Sequence, residues 1–141
     1  MVRKHETPEP APADAKDRLR LARTEGVGPV AYRRLLARYG SATAALDALP
    51  GLARAGGRPS PQALPSPDDA MRELRGLARL GARMVFAGEP DYPPLLALLD
   101  DAPAAIAVRG DPALLANRAI ALVGGRNASA NGQRMAENLS A

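Results

Sequence analysis

The sequence predicts a two-part α + α/β protein, a small helical domain followed by the start of a Rossmann-like, doubly wound domain, and three observations carry that reading. Up to Gly81 the apolar residues recur at helical spacing; after it, short β-branched runs alternate with short helical segments. The stretch Ala119 to Gly132, AIALVGGRNASANG, reads as buried strand, glycine turn and helix start. Positive charge concentrates in the helical part: residues 18–58 hold eight arginines against Glu25 and Asp47, a net of +6, while residues 1–17 and 59–141 each carry −1.

Residues 1–17 combine Pro8, Pro10 and Pro12 with charges and read as a disordered tail. The helical domain spans 18–81. Its first helix runs from Asp17 to Thr24 and stops at Gly26; Pro29 opens a second, which buries Val30, Leu35 and Leu36 with Tyr32 and Tyr39 and ends at Gly40. Ser41 caps a third, Ala42 to Leu49, which Pro50 stops, with one more turn available at Leu52 to Ala55. A proline- and glycine-rich loop follows. Ser66 then caps a fourth helix, opened by Pro67, closed at Gly81 and apolar along Met71, Leu74, Leu77, Ala78 and Leu80.

Residues 82–141 begin the second domain. Met84 to Phe86 reads as a strand, Pro94 to Leu99 as a short helix, Ile106 to Val108 as a second strand and Ile120 to Val123 as a third. Tyr92 before Pro93-Pro94 reads as packing beneath a turn. The Asp100-Asp101 pair reads as the end of a helix rather than a catalytic dyad.

Composition excludes several function classes. The chain has no cysteine, so disulfides and thiolate metal sites are out, and a lone His5 in the polar tail leaves no histidine catalysis or metal cluster. No base, nucleophile or ligand set supports turnover, and neither cofactor nor metal is expected. The apolar runs fall short of a membrane span and the first residues are polar, so a soluble cytoplasmic protein is expected, with no membrane partner.

Candidate binding residues lie in two places. At the strand–turn–helix junction, Gly124 and Gly125 free the backbone for close approach, Arg126 offers a planar cationic fork, and Asn127 and Ser129 lead into a helix N-terminus: an anion site suited to phosphate. A glycine turn without a full GxGxxG spacing is equally a plain tight turn. Gly26 and Gly28 join two helices as in a helix-hairpin-helix, whose turn N–H groups meet phosphates without reading bases, and Arg33 and Arg34 follow it. A tight interhelical turn in a small bundle fits those residues as well.

An ordered set of short motifs resembles the DNA-processing protein A (DprA/Smf) family: Gly26-Val27-Gly28-Pro29, Tyr92-Pro93, Leu95-Leu96, Asp101-Ala102-Pro103, Arg109-Gly110, Val123-Gly124-Gly125-Arg126 and Gly132. It covers roughly residues 18–141. The resemblance implies a sterile-alpha-motif-like helical domain ahead of the Rossmann-like one. It also implies binding of single-stranded DNA and loading of the RecA recombinase during natural transformation. Where this chain has Gly124-Gly125-Arg126 the family usually has Gly-Ser-Arg, so one hydroxyl is missing here. A doubly wound sheet needs further strands and helices, so the sequence reads as the amino-terminal part of a longer protein, with homodimerisation expected only of the full length. Two other readings stay open: a nucleotide-binding Rossmann-type enzyme, and a helical module, residues 18–81, that docks an acidic protein through arginines such as Arg33, Arg34 and Arg38.

Overall fold

The computed structural model describes residues 14–56 and 64–140, in the order α1 (Ala15–Arg23), α2 (Pro29–Tyr39), α3 (Ala42–Ala55), α4 (Pro67–Arg79), β1 (Ala82–Phe86), α5 (Pro94–Ala97), β2 (Ala105–Arg109) and α6 (Ala130–Ser140). A 3₁₀ turn covers Pro112–Ala116. Residues 1–13 of the expected tail and the centre of the expected loop, 57–63, lie outside the described residues. The rest of that tail belongs to α1, which starts two residues earlier than Asp17 because Ala15, 2% exposed, has a core to enter.

Local signals set most helix ends. Pro29 opens α2, and Gly40 closes it at φ 76, a left-handed conformation that glycine adopts without steric penalty. The Ser41 hydroxyl accepts from the Ala44 N–H at 3.1 Å, and the Ser66 hydroxyl from the Asp69 N–H at 3.1 Å. Pro50, by contrast, does not stop α3, which runs on to Ala55. A proline removes one N–H, and here buried Leu49 and half-buried Leu52 hold the two flanking turns to the bundle. The α4 face also differs: Ala70 is its buried residue, Leu74 and Leu77 pack beside it, and Ala78 and Leu80 are exposed.

The helices enclose one core made of Leu21, Tyr32, Ala42, Ala45, Leu46 and Leu49. A second core joins Ala15 and Leu19 of α1 and Ala70 of α4 to Met84 and Phe86 of β1. Helix α1 therefore lies between the two, with Leu19 and Leu21, both fully buried, turned to different partners.

Strands β1 and β2 pair antiparallel, Ala82 opposite Arg109 and Phe86 opposite Ala105, in the two-stranded sheet of the described residues. This is the small sheet with helices that opens the second part. The third strand expected at Ile120 to Val123 does not form. Residues 117–125 are irregular, with Ile120 92% and Val123 95% exposed. A strand is completed by hydrogen bonds to a neighbour, and no described strand pairs with this stretch. Tyr92 packs as expected: it is 4% exposed and its hydroxyl donates to the Pro103 carbonyl at 2.7 Å.

Candidate nucleic-acid interface

Many of the arginines that make the helical part basic are already committed. Arg18 is the most engaged. Its guanidinium donates to Glu89 at 2.8 Å, to the Ala87 carbonyl at 3.0 Å and to the Tyr32 hydroxyl at 3.4 Å, and lies 4.8 Å from the Phe86 ring centroid. Glu89 in turn accepts the Phe86 N–H at 2.9 Å. Burial, only partly offset by Arg18, pushes the Tyr32 hydroxyl above its ordinary pKa.

Arg20 bonds Asp17 at 3.1 Å and the Pro65 carbonyl at 2.9 Å, and Arg23 pairs with Glu73 at 2.8 Å. Arg54 donates to the Pro50 carbonyl at 3.1 Å. Arg33, one of the candidate contacts, donates to the carbonyls of Leu99 and Asp100 and ties α2 to the end of the α5 segment. The Asp100 backbone thus has a structural role, and the pair Asp100-Asp101 sits in an exposed turn.

Two arginines of α2 are left. Arg34 and Arg38 are exposed and have no ion-pair partner among the described residues; Arg38 lies over the Tyr39 ring at 5.4 Å. Both line an open groove of about 640 Å³ whose other walls are the hairpin Gly26 to Pro29 and the far end of α3. The hairpin is shaped by Thr24, 3% exposed, whose hydroxyl donates to the Arg20 carbonyl at 2.8 Å and whose own carbonyl accepts the Val27 N–H at 3.0 Å. Gly26 then takes φ 77, and Gly28 caps α2 without a side-chain acceptor.

Gly26, Gly28, Arg34 and Arg38 were all legible in the sequence as candidate contacts, whereas Arg33 does not line the groove, and the apolar floor that joins the others was not legible. Val30, expected on the buried side of α2, is instead 41% exposed, because it shares a helix face with Arg34 and Arg38, each four residues further on. The turn expected at Leu52 to Ala55 does form, but as a continuation of α3 through Pro50, and that continuity is what brings Leu52 and Ala53 to the groove.

The second candidate cluster stands apart in sequence. Gly124 and Gly125 are exposed, take no positive φ, and would present an added Cβ to open space. Arg126 and Asn127 form an exposed turn, and Arg126 has no ion-pair partner among the described residues. Ser129 caps α6 as expected, accepting the Gly132 N–H on its hydroxyl at 3.3 Å and the Gln133 N–H on its carbonyl at 2.9 Å. The arrangement sets a free guanidinium one short step ahead of a helix N-terminus of 11 residues.

Among the described residues no group of histidine, cysteine and carboxylate side chains could hold a metal ion, and no helix is long and apolar enough to cross a membrane. Comparison with the curated proteins gave no match. Two family models do match: the DprA-like N-terminal HHH domain over residues 12–76 and DNA recombination-mediator protein A over residues 83–141. The helical hairpin and the strand-and-helix part thus fall, in order, under two models of one family, and the chain belongs to the DNA recombination-mediator protein A (DprA) family.

Proposed function

We propose that this chain acts in DNA recombination by binding single-stranded DNA at the turn Gly124 to Ser129, in the service of loading RecA, and that it works in the cytoplasm without turnover of its own. Membership of a recombination-mediator family supports the biological role. The observation that carries the DNA reading is the free Arg126 immediately before the Ser129-capped start of α6. A guanidinium and a helix N-terminus both favour an anion, and together they suit a backbone phosphate. Gly124 and Gly125 let a strand of DNA approach the backbone without meeting a side chain.

Fluorescence anisotropy of a labelled oligothymidylate over a salt series tests this. The wild-type chain is expected to lose affinity steadily as salt rises, because each phosphate contact releases a counterion. Arg126→Ala is expected to weaken binding about fivefold and to flatten the salt slope by about 0.7, the value of one single-strand phosphate contact. Equal binding by both proteins refutes the assignment of the site to this turn.

A further inference from the structure

We infer that the groove between the Gly26–Pro29 hairpin, α2 and the end of α3 docks an acidic peptide segment of a partner protein, which inserts one apolar side chain. This goes beyond the DNA reading and does not rest on it, since none of Gly124 to Ser129 lines the groove. The floor is apolar, formed by Val27, Leu35, Leu49 and Leu52. At about 640 Å³ the groove has room for a large side chain and the backbone on either side of it.

Charge decides the chemistry of the occupant. Among the described residues no carboxylate lines the groove, and the two cations that do, Arg34 and Arg38, have no ion-pair partner. Arg18, Arg20 and Arg23 on the preceding helix are all paired with acids. Free guanidinium groups beside an apolar floor complement a carboxylate-flanked apolar anchor. A nucleic acid fits less well: among the described residues no aromatic side chain lines the groove for a base to stack on, and an apolar floor offers a phosphodiester nothing.

The test uses the whole chain and a short fluorescein-labelled peptide with a single leucine between runs of aspartate. A control peptide carries alanine in place of leucine, and labelled oligothymidylate serves as the nucleic-acid probe. The leucine peptide is expected to bind about tenfold tighter than the alanine peptide, the effect of burying a leucine side chain. The double variant Arg34→Ala, Arg38→Ala is expected to weaken peptide binding about tenfold. Val30→Ser, at a residue 41% exposed on the groove wall, is expected to weaken it about threefold while leaving oligothymidylate binding unchanged. Equal affinity for both peptides, or no peptide binding by protein with an unaltered melting temperature, overturns the inference. Loss of oligothymidylate binding in step with Val30→Ser overturns it too and makes the groove a nucleic-acid site. Arg126→Ala separates the two readings, because it should alter only the oligothymidylate curve.

Discussion

Arg18 illustrates how a charged residue becomes a structural one. Its side chain is 14% exposed and Glu89 15%, and their 2.8 Å pair bridges α1 to the turn after β1. Replacing Arg18 with methionine keeps much of the packing against Phe86 but leaves the Glu89 carboxylate beside an apolar core without its partner. That is expected to cost about 3 kcal/mol, read from urea denaturation, and adding Glu89→Gln should restore part of it. A replacement that changes the midpoint no more than a surface mutation would remove Arg18 from this role. Asp17 gives a pH signature on the same helix. Burial pulls its pKa upward, but the Thr43 hydroxyl at 2.8 Å and Arg20 outweigh that and hold it below the usual aspartate value. The folded state thus binds this proton less readily than the unfolded chain. The resulting stabilisation is present above pH about 4 and is lost as pH falls through the depressed value. Wild type should therefore lose more melting temperature than Asp17→Asn on acidification below that point; parallel curves would contradict the assignment.

Glycines at element ends do different work at different places, and substitution separates them. Gly40 closes α2 at φ 76, so Gly40→Ala should destabilise by about 1 kcal/mol although no atom lies within 4 Å of the new Cβ. Gly125 takes no positive φ and also faces open space, so Gly125→Ser should shift stability by less than about 0.5 kcal/mol. Because it supplies the hydroxyl found in the resembled Gly-Ser-Arg pattern, it should also tighten oligothymidylate binding in the anisotropy assay. The same contrast explains how far the sequence could be read. Ends fixed by a neighbouring residue, as at Pro29, Gly40, Ser41 and Ser66, were legible because the cap and the helix it serves are adjacent in sequence. The passage of α3 through Pro50 was not, since Leu49 and Leu52 hold it through contacts made elsewhere in the fold. Nor was the irregular path of Ile120 to Val123, whose composition suits a strand but whose pairing depends on a neighbour. The arginine count misled for a related reason. Glu73 and Glu89, the partners of Arg23 and Arg18, lie 50 and 71 positions away, so part of the charge that looked free in residues 18–58 is spent on ion pairs that hold the fold.

The change from helices to strands near residue 82 is a boundary in pattern, but packing crosses it. Leu19 and Ala15 of α1 and Ala70 of α4 are buried against Met84 and Phe86 of β1, and the Arg18–Glu89 pair and the Arg33 bonds to Leu99 and Asp100 tie the same two regions. A chain ending at residue 81 would expose the helical side of that second core. Burial of a Met or Phe side chain contributes about 1.5–3 kcal/mol, and a small domain has only about 5–15 kcal/mol in all, so losing both is a large fraction of what holds it. Residues 1–81 expressed alone should therefore keep helical circular dichroism but melt broadly and bind a hydrophobic dye. Residues 1–110, which retain β1, β2 and both ties, should melt in one sharp transition close to that of the whole chain, because the remainder, from Asp111 to Ser140, contributes no buried residue. If 1–81 melts as sharply and as high as 1–110, the two cores are independent and the strand pair merely rests on a self-sufficient helical domain. If it does not, β1 is an integral part of the fold that positions the hairpin groove, and mutations in the strand should weaken peptide docking on the helices without touching them.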